Sequence, residues 1–154
     1  MLSQHNGDVT YRERLLPSTW LLVVCVLLVP AGILVFARID LVTGIVGGIL
    51  LYGIVLAALL GSAPTIGVGP EGVRAGRALL PLEHVGEVEA IDGVDAIAAR
   101  GTGLDARAFT FFRGGAPGVV RIANTDAADP APYWLVSTRR PAEFAAAITA
   151  ATGS

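Results

Sequence analysis

The chain has 154 residues, 53% of them apolar and only 16% charged, with a formal net charge of -2. A typical soluble domain carries about 25% charged residues, so these figures exclude a large soluble enzyme and a disordered chain, and the single cysteine excludes a disulfide-rich secreted domain. All eleven basic residues are arginine, which removes a lysine Schiff base and a P-loop lysine from consideration. No basic block occurs, so nucleic acid is not an expected partner.

Residues 1–14 read as an N-terminal cytoplasmic tail bearing Arg12 and Arg14. From Leu15 to Ala37 there is no charge, and after Arg38-Ile39-Asp40 none again from Leu41 to Pro70. Each run is long enough to cross about 30 Å of hydrocarbon as a helix. Residues 15–62 are therefore expected to form a transmembrane helical hairpin, with spans at about 17–37 and 41–61. Pro17 suits a first turn, Ser18 or Thr19 a cap, and Trp20 a membrane interface. Pro30 should free the carbonyl of Val26 and bend the first helix without ending it. A cleaved signal peptide fits less well, because the uncharged run is too long and no small-residue cleavage site follows.

Gly44 and Gly48 have the GxxxG spacing of closely packed helices, and Gly53, Ala57 and Gly61 continue small residues every fourth position. That face fits either a homodimer or packing on the first helix of the same chain. Arg12, Arg14, Arg74 and Arg77 flank the pair on one side and Arg38 alone lies between the spans. By the positive-inside rule both termini should be cytoplasmic, in a multi-pass protein of the inner membrane. Neither run holds an ionisable side chain of the kind a proton relay or ion pathway requires. Cys25, inside the first run, reads as a buried or lipid-facing thiol.

Residues 65–151 are of mixed composition and read as a small cytoplasmic domain. Thr65 to Val68 is expected as a strand, Gly69 to Gly72 as a turn, and Val73 to Leu79 as the returning strand. A turn at Leu82 to His84 should lead to a strand from Gly86 to Ile91, then a short helical crossing from Asp92 to Arg100. Ala108 to Arg113 and Val119 to Ala123 are expected to pair as a hairpin, followed by a strand from Tyr133 to Ser137. Pro141 opens an alanine-rich helix whose Phe144 and Ile148, four apart, can cover the sheet. The sum is an α+β membrane protein: a small antiparallel sheet with a C-terminal helix, tethered to a helical hairpin.

Gly67-Val68-Gly69-Pro70-Glu71-Gly72 matches GxGxxG, but a dinucleotide fingerprint must open a helix, and proline with a further strand follows here. His84 near Glu83 and Glu87 lacks the spacing of a metal site. Asp105 and Arg107 fit an ion pair or an Asx turn. Asp126 to Pro141 is the densest polar-aromatic stretch. There Tyr133 or Trp134 can anchor the core, Asp129 cap a turn and Thr138 cap the last helix. Alternatively, one exposed ring with Arg139 and Arg140 can hold a phosphate, an anionic headgroup or an acidic peptide.

Tyr11-Arg12-Glu13-Arg14-Leu15, then Pro17 and Trp20, and above all the run DPAPYWLVSTRRP, resemble a family of small actinobacterial membrane proteins of unknown function. The resemblance spans about Tyr11 to Ala150. It implies a two-helix anchor followed by a pleckstrin-homology-like domain at the inner membrane, and it implies no reaction. An additional Asp-Pro pair that often precedes the late motif is replaced here by Asn124-Thr125-Asp126-Ala127. Function is accordingly read as a membrane-anchored interaction module, with no catalytic, metal or cofactor residues assigned. The alternative is an enzyme acting on a lipid or membrane-proximal metabolite through Asp105, Asp129 and Arg139.

Overall fold

Residues Tyr11, Glu13 and Leu15 alternate with Arg12 and Arg14, the period-two pattern of a strand with one buried face. The computed structural model, which describes residues 10–153, makes Tyr11–Arg14 strand β1. It pairs antiparallel with β2 (Thr65–Gly69), Tyr11 opposite Val68 and Arg14 opposite Thr65. The last four residues of the segment expected as a tail thus join a sheet, because their alternate side chains have a core to enter; residues 1–9 of that segment lie outside the described residues. Beyond the strand the Leu15 amide donates to the Pro64 carbonyl at 3.0 Å. The chain divides into two units: the described residues through Leu15 together with those from Pro64 onward, and Leu16–Ala63.

The first unit contains two four-stranded sheets. In the first, β2 also pairs with β3 (Gly72–Ala75), and β3 with β4 (Ala78–Leu80), giving the order β1-β2-β3-β4. The single strand expected from Val73 to Leu79 is therefore two strands. Gly76, at φ +64°, turns the chain between them with Arg77, a backbone conformation that glycine adopts without a Cβ penalty. Gly67 to Gly72 forms the β2–β3 hairpin, as the hairpin reading of the glycine motif requires.

A 3-10 turn (Leu82–His84) leads to β5 (Val85–Ile91), then helix α4 (Gly93–Arg100); three later strands are β6 (Phe109–Phe111), β7 (Gly118–Asn124) and β8 (Tyr133–Thr138). Their order is β5-β7-β8-β6. Contrary to the expected hairpin, β6 does not pair with β7 but runs parallel to β8. Val119, Val120 and Ile122 are all fully buried, so β7 needs cover on both faces and takes the central place between β5 and β8. Phe109 instead stacks on Trp134, ring centroids 4.2 Å apart, which fixes β6 at the far side of β8. Two sheets replace the one expected, and of their pairings only β6–β8 is parallel.

Helix α5 (Pro141–Thr152) starts at a proline and ends at Gly153 in the left-handed region, a favoured helix stop. Its Phe144 and Ile148 are fully buried among Ile66, Val68, Val120 and Trp134, in a core shared by both sheets and the helix. The opposite face of the second sheet carries Ile91, Val119 and Leu135 against Ala96 and Ala99 of α4.

The second unit is helical: α1 (Thr19–Val26), α2 (Leu28–Phe36) and α3 (Leu41–Gly61). Ser18 caps α1 through the Leu21 amide at 3.4 Å. Leu27 interrupts the helix one turn before Pro30, where the proline removes the donor that Val26 would have met. Asp40 caps α3, accepting from Val42 at 2.8 Å and from both the amide and hydroxyl of Thr43. Taken together, Thr19–Phe36 and Leu41–Gly61 are two helices of 18 and 21 residues, long and apolar enough to cross a membrane. Only 11% of each span is buried, so these are not core helices of a soluble domain, and membrane association follows.

Gly44 and Gly48 face the preceding helical segment of their own chain. A Cβ on Gly48 would lie 2.7 Å from the Val29 carbonyl oxygen, and one on Gly32 2.6 Å from the Gly48 Cα. Of the two readings of that face, Gly44 and Gly48 take the one of packing on the first helix of the same chain, an approach that only glycine permits. Replacing Gly48 by alanine is expected to lower hairpin stability in detergent by about 1–3 kcal/mol. Gly53→Ala, in open space on the same helix, should be neutral or stabilising. Unfolding titrations in mixed micelles read both.

Candidate functional site

Strand β8 organises the residues singled out from the late motif, but it distributes them to its two ends. At its start, the Tyr133 hydroxyl accepts the Asp105 amide at 2.8 Å, and the Arg121 guanidinium lies over the Tyr133 ring at 5.2 Å. The Asp105 carboxylate takes the Arg107 amide at 2.8 Å and its guanidinium at 3.3 and 3.1 Å. That side-chain bond first, and then the amide, holds the Asp105 carboxyl below the ordinary aspartate range. Asp105 and Arg107 thus form the ion pair and Asx turn together.

Ahead of β8, Asp129 accepts the Ala131 amide at 2.9 Å and the Asn124 side-chain amide at 2.9 Å. Asn124 in turn accepts the Asp126 amide, and Asp126 the Ala128 amide. Three short polar side chains close successive backbone turns, a local means of holding the loop. Trp134 is 4% exposed and belongs to the core, so it offers no ring to a ligand.

The far end of β8 meets β1. Glu13 is 6% exposed, and its carboxylate accepts the Thr138 hydroxyl at 2.5 Å, the Arg139 amide at 3.0 Å and the Tyr11 hydroxyl at 2.9 Å. A buried carboxylate is costly unless its oxygens are satisfied, and this one has three donors from both ends of the chain. Thr138 also accepts the Arg140 amide at 3.1 Å, but the N-cap of α5 is Arg140 and no side chain caps the helix, so Thr138 closes the turn before α5 instead of capping it. Burial, with the neighbouring Glu13 carboxylate adding to it, raises the Tyr11 phenol above its ordinary pKa and keeps it a donor.

Arg139 and Arg140 are both exposed. Arg140 bonds Glu143 at 3.0 Å and lies over the Tyr11 ring at 5.4 Å, an arrangement that stabilises the fold. Arg139 extends into solvent beyond the strand end. Asp105 and Asp129 lie by the start of β8 and Arg139 past its end, so the structure does not assemble the three as an acid–base cluster. His84 lies 3.5 Å from Glu83 and 4.0 Å from Asp126. Among the described residues no group of three or more His, Cys, Asp or Glu is placed to hold a metal ion.

Two features escaped the sequence reading. One is Glu13, whose partners are 125 and 126 residues away; the alternation around it was the available signal. The other is the exposed face of the first sheet, where Arg12 of β1 and Arg74 of β3 both lie opposite Gly67 of β2.

These elements define an α+β protein with two apolar helices of membrane-crossing length and a sheet-and-helix domain. The chain belongs to the family described as Protein of unknown function (DUF3093), whose model matches residues 10–148. No curated protein and no solved structure matches it.

Glu13→Ala is expected to destabilise the domain by about 3 kcal/mol, because it leaves buried donors unpaired. Glu13→Gln, which keeps an acceptor, should cost less. Thermal unfolding followed by Trp134 fluorescence in a Trp20→Phe background compares them. The stabilising Asp105–Arg107 interaction is complete above the unfolded-state pKa of the aspartate and is lost as pH falls through its lower folded-state value. Carbon-13 NMR should place the Asp105 midpoint below 3.8, and Arg107→Ala should move it upward.

Proposed function

We propose that the protein is a membrane-anchored interaction module whose two spans hold a small cytoplasmic domain against the inner membrane, where it meets a protein or an anionic lipid. The observation that carries this reading is the pairing of β1 with β2. These strands lie immediately before and after the hairpin in sequence, and the Leu15–Pro64 hydrogen bond joins the points where the chain leaves and re-enters the domain. A chain that departs and returns at neighbouring backbone positions fits an even number of crossings. The arginine asymmetry supports the cytoplasmic side for both termini: Arg12, Arg14, Arg74 and Arg77 stand against Arg38 alone.

A pleckstrin-homology-like character is supported by two four-stranded sheets with one C-terminal helix packed into their core. The parallel β6–β8 pair departs from an all-antiparallel plan. The Asp105, Arg107, Asp129, Tyr133, Trp134 and Thr138 positions act in this reading as framework, and Arg139 as an exposed contact. The enzyme reading gains nothing from Asp105, Asp129 and Arg139, which lie at opposite ends of β8.

Reporter fusions test the topology. A fluorescent protein fused after Ser154 should fluoresce and alkaline phosphatase there should be inactive, whereas phosphatase inserted between Arg38 and Asp40 should be active. The reverse pattern would refute a cytoplasmic domain.

A further inference from the structure

The outward positions of β2 are Thr65, Gly67 and Gly69, since Ile66 and Val68 point into the core. Two of the three have no side chain, so the sheet surface drops to the backbone along the middle of the strand, where Gly67 is buried and Gly69 half-buried. On either side stands an arginine: Arg12 and Arg74 both lie opposite Gly67 and both are exposed. Neighbouring strands are about 4.8 Å apart, which sets these two arginine Cα atoms roughly 10 Å apart across the glycine. The result is a trough of about 620 Å³ floored by β2 and the β2–β3 turn, with both arginines in its lining. The glycine at 67 is required by the packing as well, because a Cβ there would lie 2.8 Å from the Tyr11 carbonyl oxygen.

We infer that this trough binds the phosphate headgroup of an anionic phospholipid, with Arg12 and Arg74 as its two cationic walls. Long, flexible guanidinium groups on facing strands can converge on one phosphate above a floor that offers no side chain in the way. Glu71 bonds Arg74 at 2.7 Å, but both side chains are more than half exposed, and such a pair is weak enough to exchange for a phosphate. A lipid rather than a soluble phosphate is favoured by position along the chain. Arg12 lies seven residues before Thr19 and Arg74 thirteen after Gly61, so both fall within about 20 residues of a span end. Juxtamembrane arginines at that distance feel the anionic surface. The inference rests on the membrane-anchored reading and adds to it a ligand and a site, distinct from Arg139 and Arg140.

The test uses the full chain purified in neutral detergent and titrated with dioleoyl phosphatidylglycerol or dioleoyl phosphatidylcholine, counting retained lipids by native mass spectrometry. Wild type should prefer phosphatidylglycerol, and Arg12→Gln with Arg74→Gln should reduce that preference by about fivefold per arginine. Gly69→Glu places a carboxylate in the trough at a position with nothing within 4 Å of its Cβ, and should abolish the preference while leaving the fold intact. Arg113→Gln, at an exposed arginine outside the trough, should leave it unchanged. Equal retention of the two lipids by wild type, or a preference that survives both trough variants, would overturn the site. Displacement of the lipid by an equal concentration of inorganic phosphate would overturn its assignment to lipid. Extraction of the wild type from membranes by alkaline carbonate would defeat the anchored reading along with the site; resistance without lipid preference defeats the site alone.

Discussion

Backbone hydrogen bonds between Tyr11–Arg14 and Thr65–Val68 join two segments separated by the whole helical unit, and most other features follow from that pairing. A strand that precedes the helices can enter the sheet only if the chain returns beside it. Once β1 is in place, its alternation sends Tyr11, Glu13 and Leu15 to the core and Arg12 and Arg14 to the other face. Glu13 then arrives within reach of Thr138 and Arg139, and the two most distinctive sequence motifs become one hydrogen-bonded assembly. The same strand supplies one wall of the trough. A lone carboxylate at residue 13 has no local reason to be buried; the partners at the end of β8 are what make its burial tolerable.

The helical unit obeys a different constraint. Its side chains face outward, so packing between segments relies on close backbone approach at Gly32, Gly44 and Gly48 rather than on burial of apolar area. In lipid there is no hydrophobic gain from hiding one leucine behind another, and small residues at the contact let main chains touch. The polar groups of the unit sit at its turns, where Ser18 and Asp40 satisfy amides that the first helical turns leave free.

Several contacts that look chemically active in the one-dimensional motif are structural in three dimensions. Asp105 and Asp129 close turns, Thr138 is shared between Glu13 and the entry to α5, and Arg140 covers Tyr11. Density of polar and aromatic residues in DPAPYWLVSTRRP reflects one strand that must anchor loops at both ends. The GxGxxG run likewise forms a hairpin, yet its bare positions create the surface that faces Arg12 and Arg74.

Properties that depend on neighbours in sequence were legible from the chain itself. Uninterrupted apolar length marks the two spans, proline and serine mark helix starts, and the four-residue spacing of Phe144 and Ile148 marks the covering face of α5. The β2–β3 hairpin is equally local. What only the tertiary structure decided was partnership: β6 beside β8 instead of β7, a turn at Gly76 splitting one expected strand, and Glu13 against Thr138. Strand partners and the neighbours of a buried charge are chosen by which faces can be covered across the whole fold. Periodicity along a segment shows which side needs cover; it carries no information about which distant segment supplies it.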